Sequence, residues 1–178
     1  MRASSVPLKP HPSHAAHSVD VISVSVERSG AGLHLDYHII ADPTGILLPK
    51  GPGGERRDEL WKHTCLEAFV RLEGADEYLE FNFAPNGDWA GYEFDGYRQN
   101  GRDLTVLAPR IDCTEVSDEI RATVTLPTLP DLYQSNAIQL GFSAVIETPQ
   151  NDRFYWALFH PNDRPDFHRI ENFQISLD

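Results

Sequence analysis

Apolar and polar residues alternate with period two along most of this chain. Ile22, Val24 and Val26 are interleaved with Ser23, Ser25 and Glu27. After Ser29-Gly30-Ala31-Gly32 the pattern resumes, with Leu33, Leu35, Tyr37 and Ile39 set between His34, Asp36 and His38. Period two on both sides of a glycine-containing turn predicts a β-hairpin, closed by Asp42-Pro43-Thr44-Gly45. The alternation returns over residues 120–126 and 138–146, and Phe173, Ile175 and Leu177 supply a closing strand. Residues 154–159 are apolar on both faces, as expected of a strand covered on both sides. Residues 129–133 predict one short helical turn, and no segment carries a long period of 3.6. About ten short strands separated by turn residues predict an all-β fold, an antiparallel β-sandwich with little helix. The expected organisation is a single domain over residues 19–178, preceded by a disordered tail over residues 1–18.

The central stretch, residues 60–98, carries three of these strands and the densest chemistry. Strand alternation sorts its side chains into two faces. Leu66, Ala68 and Val70 oppose Cys65, Glu67 and Phe69; Leu79, Phe81 and Phe83 oppose Tyr78, Glu80 and Asn82. Asn86-Gly87, preceded by Pro85, is a hairpin-turn signal. Beyond it the alternation sets Ala90, Tyr92 and Phe94 against Trp89, Gly91, Glu93 and Asp95. Adjacent strands would then gather Glu67, Glu80, Asn82, Trp89 and Glu93 on one face, with Gly91 leaving room above the backbone. Carboxylates and amides exchange hydrogen bonds with hydroxyls, and aromatic rings cover the apolar faces of sugar rings. Trp61, at the mouth of a Pro/Gly/charge-rich loop over residues 48–59, and Trp156, on a late strand, bring further aromatic surface. The plain alternative is a wet sheet face, on which Glu80 and Glu93 are solvated acids and Trp156 is core.

Charge narrows the partners. Lys and Arg number 15 against 27 Asp and Glu, a formal net charge of −12. So acidic a surface repels phosphate backbones and anionic lipid, which argues against nucleic-acid and membrane roles. No run of about 18 apolar residues is present, and the first twenty residues lack the apolar core of a signal peptide, so a cytoplasmic location is expected. The two cysteines, Cys65 and Cys113, form neither a disulfide framework nor a CxxC motif.

The residues of two blocks resemble the DOMON-like superfamily, in particular proteins related to family-9 carbohydrate-binding modules. One block is residues 61–98, with Trp61 six residues before Glu67, then Glu80-Phe81-Asn82 and the Asn-Gly turn. The other is Tyr155-Trp156-Ala157-Leu158-Phe159-His160-Pro161 followed by Arg164-Pro165-Asp166-Phe167-His168. The resemblance implies a β-sandwich in which two aromatics sandwich a terminal saccharide while polar side chains bond its hydroxyls. By position Trp61 matches the first aromatic, and Glu67 and Asn82 match polar strand positions. For the second aromatic, Trp156 and Trp89 compete.

Other chemistry has less support. His160, Asp163, Asp166 and His168 lie close in sequence, with His63 a candidate neighbour, but their spacing matches no recognised metal motif. His11, His14 and His17 fall in the expected tail, where only adventitious metal binding is foreseen. No DxDxDG loop supports calcium, which the resemblance leaves open. Haem held between Met and His is disfavoured, because Met1 is the sole methionine. GxSxG and HExxH are absent, and a strand cysteine such as Cys65 reads as a small buried hydrophobe.

The expected function is therefore a non-catalytic binding module for a carbohydrate or similar polyol, with no resident cofactor. Its candidate ligand-binding residues are Trp61, Glu67, Glu80, Asn82, Trp89, Trp156, His63, His160 and His168. Two alternatives stand beside it. One is a hydrolase pairing Glu67 with His63, His160 or His168; the other is a protein-interaction scaffold built on Trp61 and Trp89.

Overall fold

The computed structural model describes residues 5–13, 18–161 and 164–178. Thirteen strands occur among them: β1 (Val6–Pro7), β2 (Lys9–Pro10), β3 (Val19–Ser29), β4 (Gly32–Ala41), β5 (Cys65–Leu72), β6 (Tyr78–Phe83), β7 (Trp89–Phe94), β8 (Arg102–Asp103), β9 (Arg110–Val116), β10 (Glu119–Leu126), β11 (Ile138–Glu147), β12 (Arg153–Ala157) and β13 (Ile175–Leu177). A single turn of α-helix, α1 (Asp131–Gln134), precedes β11. The strands form two antiparallel sheets. One has the order β1-β3-β4-β10-β9; the other has the order β2-β12-β11-β5-β6-β7-β8, with β13 pairing β11 beyond β12.

The alternation read in the sequence is what joins the sheets. Ile22, Val24, Leu35, Tyr37, Ile39, Ala122 and Val124 from the smaller sheet are buried against Leu66, Ala68, Val70, Phe81, Phe83, Leu140 and Phe142 from the larger one. The opposite face of the smaller sheet stays wet, and β10 alternates exposed or half-buried residues with buried ones along its length. The larger sheet behaves differently. All six residues of β6 and nine of the ten in β11 are buried, so both of its faces are covered. Its outer face lies under the loops before β5 and after β12, and the cleft described below is formed there.

Several expectations are corrected. Residues 5–13, expected as part of a disordered tail, are tied to both sheets. Val6 pairs with Val24, and Lys9 and Pro10 pair with Ala157 and Trp156. His11 is buried, its N–H bonded to the Tyr155 carbonyl at 2.8 Å. His14 and His17 lie outside the described residues.

The β6–β7 hairpin also differs in register. Read as a two-residue Asn86-Gly87 turn, it would have put Trp89, Gly91 and Glu93 on the face of Glu80 and Asn82. The loop instead contains three residues, Pro85-Asn86-Gly87. Ala84 N–H donates to Asp88 O at 2.8 Å, and Gly87 adopts φ +100°. One extra residue slips the pairing by one and exchanges the faces of the whole strand. Asn82 therefore faces Ala90, Glu80 faces Tyr92 and Tyr78 faces Phe94, while Trp89 pairs with Phe83 and Gly91 with Phe81 on the opposite face.

Candidate ligand-binding cleft

The pairing registers arrange the outer face of the larger sheet in rows. One row runs Ala157, Ser143, Glu67, Asn82, Ala90; the next runs Gly141, Phe69, Glu80, Tyr92, Asp103; beyond it run Gln139, Arg71, Tyr78 and Phe94. Two acids are thus set on β5 and β6 as diagonal neighbours amid aromatic rings. A cavity of about 950 Å³ opens over them. Glu67, Phe69, Glu80, Tyr92 and Val145 line it from the sheet. Asp58, Glu59 and Trp61 close one side, Arg98, Arg102 and Asp103 a second, and Arg164, Pro165, Phe167 and His168 a third.

The floor is polar and buried. Glu67 is 3% exposed and Glu80 6%, against the expectation that Glu80 is a solvated acid. Ser143 Oγ donates to Glu67 Oε2 at 2.5 Å, and Asn82 Nδ2 donates to Glu80 Oε1 at 2.7 Å. Asn82 therefore acts on the cleft by orienting Glu80. Burial, added to by the charge of Glu80 and opposed by the Ser143 bond and by Arg98, pushes the Glu67 carboxyl up to about 8. Burial also raises Glu80, against the pull of Asn82 and Arg98. At pH 7 Glu67 therefore keeps its proton, and two like charges in a dry site disfavour its joint ionisation with Glu80.

His168 overhangs this floor. Arg98 N–H donates to Tyr78 Oη at 3.2 Å, and Tyr78 Oη shares a hydrogen bond with His168 Nδ1 at 2.7 Å. His168 Nε2 sits 3.7 Å from Glu80 Oε2. Burial, helped by the charge of Arg98 and opposed by Asp166, brings the imidazole down to about 3, so it is neutral over the physiological range.

The walls are tied to one another. Arg98 Nη2 donates to Asp166 Oδ1 at 3.0 Å and Tyr97 Oη donates to Asp166 Oδ2 at 2.5 Å, linking the loop after β7 to the one after β12. On the other side Tyr92 Oη donates to Asp58 Oδ1 at 2.7 Å, and Arg56 joins Asp58 at 3.1 Å to Asp103 at 2.6 Å. Glu59 and Arg98 both carry left-handed backbones, φ 63° and 53°. Such conformations are uncommon outside glycine and are held here by the surrounding contacts.

Of the nine residues expected to hold ligand, Trp61, Glu67, Glu80 and His168 line the cleft, and Asn82 supports it. The remaining four do not line it. Trp89, 6% exposed, lies across the sheet, its backbone bonded to Glu55 O and Arg57 N. Trp156, 4% exposed, faces Ala144 within the core. His63 leaves Glu67 and pairs with Glu147 at 2.9 Å, beside a smaller hollow of about 300 Å³. His160 Nε2 donates to Lys9 O at 2.8 Å. Glu93 turns to Arg102 at 2.7 Å.

The aromatic residues that do line the cleft are Phe69, Tyr92, Phe94, Tyr155 and Phe167 together with Trp61. Tyr92 and Phe94 were in the sequence with the correct mutual spacing, but on the face that the hairpin register made to look like core. Cys65 is fully buried, and burial with the charge of Glu67 pushes its thiol well up, which leaves it a poor nucleophile. Among the described residues no three His, Cys, Asp or Glu are grouped to hold a metal ion. Asp163 lies outside them. No helix among them is long and apolar enough to cross a membrane.

Solved structures with this architecture bind sugars. A candidate carbohydrate-binding protein of Bacteroides uniformis superposes with a TM-score of 0.70 at 16% identity, over 96% of this chain and 84% of that one. A family-9 carbohydrate-binding module of Caldicellulosiruptor kristjanssonii in complex with glucose matches with a TM-score of 0.55 at 9% identity, over 85% and 73%. The same kind of module in complex with cellotriose gives 0.54 at 8%. The chain has the β-sandwich fold of family-9 carbohydrate-binding modules. At these identities the likeness is one of fold.

By sequence the chain is similar to the UPF0462 protein C4orf33 homolog of Rattus norvegicus and to UPF0462 protein C4orf33 of Homo sapiens. Each is 27% identical over 133 residues, which is 71% of this chain. The match spans 64% of the length of these curated relatives. No family model matches the chain.

Proposed function

We propose that this protein is a non-catalytic binding module of DOMON-like type, taking a saccharide or similar polyol in the cleft above Glu67 and Glu80. The observation that carries the reading is the pairing of a buried, protonatable carboxyl floor with aromatic walls in one concave space. A volume of about 950 Å³ falls within the roughly 300–1,000 Å³ of small-ligand sites. Protonated carboxyls donate and ionised ones accept, so the floor can satisfy a hydroxyl in either sense. Trp61, 46% exposed at the rim, and Tyr92 and Phe94 on the sheet supply aromatic surface for an entering ring. The fold shared with modules that bind glucose and cellotriose supports the same reading.

The test is calorimetric titration of folded protein with glucose, cello-oligosaccharides and a glycan array panel. Saturable binding that Trp61→Ala weakens is expected; heats no larger than dilution at millimolar sugar would overturn the proposal. A hydrolase is the second reading, favoured by two carboxyls and His168 sharing one cleft. It requires turnover of a chromogenic glycoside that Glu67→Gln abolishes.

A further inference from the structure

Opposite charges are matched around this cleft except at its floor. Asp58 and Asp103 are answered by Arg56, Glu59 by Lys62 at 2.6 Å, and Arg98 by Asp166. Arg102 is spent on Glu93 and Asp95. Among the described residues Glu67 and Glu80 have no Lys or Arg in contact; their bonded partners are a hydroxyl and an amide. Each carboxyl commits one oxygen to the protein. Among the described residues Glu67 Oε1 makes no hydrogen bond, and Glu80 Oε2 has only the imidazole at 3.7 Å. Both side chains are more than nine-tenths buried and line the cavity. The lining cation Arg164 is exposed at the mouth.

Resting on the saccharide reading above, we propose that the cleft selects a ligand bearing a protonated amine, an amino sugar being the class that fits. Its ammonium would sit against the free oxygens of Glu67 and Glu80. An ammonium has three donors and no acceptor, which complements two acceptor oxygens lacking a cation. Charge-assisted hydrogen bonds in a dry site are about twice as strong as neutral ones.

Binding of the cation also displaces the proton that Glu67 retains. The titratable and charged groups facing Glu67 and Glu80 are Tyr37 on β4, Cys65 on β5, Tyr78 on β6, Tyr92 on β7, and Arg98 and His168 from the loops. Burial raises the thiol and the phenols and lowers the imidazole, while Glu67, raised to about 8, still holds its proton at pH 7. Net proton release on binding, corrected for the ligand's own amine, which titrates near neutral pH, therefore reports Glu67.

The experiment is titration calorimetry of the intact chain at pH 7 with D-glucosamine, D-glucose and N-acetyl-D-glucosamine, repeated in two buffers of different ionisation enthalpy. Glucosamine is expected to bind about tenfold or more tightly than either neutral sugar, with net proton release to buffer. Glu67→Gln and Glu80→Gln should each bring that ratio towards one. Equal affinity for the three sugars overturns the amine inference and leaves the saccharide reading standing. Binding of methylamine without any sugar sustains the cation site and overturns the saccharide reading; no binding of any probe overturns both.

Discussion

Tyr78 Oη and His168 Nδ1 share a hydrogen bond of 2.7 Å, and its direction sets which ring nitrogen of the neutral imidazole carries the proton. With the phenol as donor, Nε2, the nitrogen facing Glu80, carries it. Long-range ¹H–¹⁵N spectra should show His168 as the Nε2–H tautomer throughout the neutral range. In Tyr78→Phe the two tautomers should mix, with a loss of about 1–3 kcal/mol in chemical denaturation, because Nδ1 and the Arg98 N–H lose a partner. An unchanged tautomer in the variant would sink this assignment.

The cleft makes stability depend on pH through two groups of opposite sign. Glu67, raised to about 8 from the 4.5 of a free carboxyl, binds its proton more tightly folded than unfolded. Its contribution is full below about pH 4.5 and is lost as pH rises towards 8. His168, lowered to about 3 from 6.5, contributes stability above about 6.5 that is lost as pH falls towards 3. Between about 4.5 and 6.5 the two slopes oppose one another. Above 6.5 no histidine slope opposes the carboxyls, Glu80 being raised as well as Glu67, each contributing at most about 1.4 kcal/mol per pH unit. Urea midpoints should accordingly fall between pH 6.5 and 8, and Glu67→Gln should flatten that fall. A midpoint that rises over this interval would contradict the placement of Glu67.

Much of the sandwich was legible because its core obeys period two: Ile22 to Ile39 on one sheet and Leu66 to Phe83 on the other declare their inner faces directly. Glu67 and Glu80 were legible for the same reason, as polar residues where alternation demands an outward direction, whereas Trp61, on a turn before β5, was legible from its spacing to Glu67 in the family resemblance. The second aromatic was misread because a face assignment depends on counting loop residues. Pro85 entering the loop reverses Trp89 and Tyr92, and no property of either residue announces this. The ordering of residues 5–13 was hidden as well. Their two-residue strands gain stability from the edges they meet at Val24 and Trp156, not from any periodicity of their own. His168 was legible as a candidate ligand-binding residue, but its bond to Tyr78 was not, since that partner lies 90 residues away.

Trp61 and Trp156 should separate cleanly in mutagenesis. Trp61 is half-exposed and lies outside the core, so Trp61→Ala should leave stability within about 0.5 kcal/mol while weakening ligand binding about tenfold. Trp156→Ala empties a core position and should cost about 3–5 kcal/mol. Trp156→Phe should cost less, because the buried Trp156 Nε1 has no hydrogen-bond partner among the described residues and the change deletes that unsatisfied donor. Thermal melts alongside titrations read both quantities, and a Trp61→Ala protein that unfolds easily would show the indole to be structural.

The wall carrying Asp58 and Trp61 is seated by a backbone contact, and that contact can be tested without touching the cleft. Gly53, at φ +56°, lies so close to the β6–β7 loop that an added Cβ would be 1.7 Å from Asn86 O. Beyond it Glu55 N–H bonds Asp88 Oδ1 at 3.1 Å and Arg57 N–H bonds Trp89 O at 2.9 Å, which carries the loop onward to the rim. Gly54 has a similar left-handed backbone, φ +86°, but open space around it. Gly54→Ala should therefore cost only the backbone strain, about 1–2 kcal/mol. Gly53→Ala adds a collision with main chain that no rotamer relieves, for a total of roughly 2–4 kcal/mol. Because the collision lifts the loop off the hairpin, Gly53→Ala should also expose residues 48–59 to proteolysis and weaken ligand binding, with Gly54→Ala as the control. Equal protease resistance in the two variants would show that the wall is held by something other than this seat.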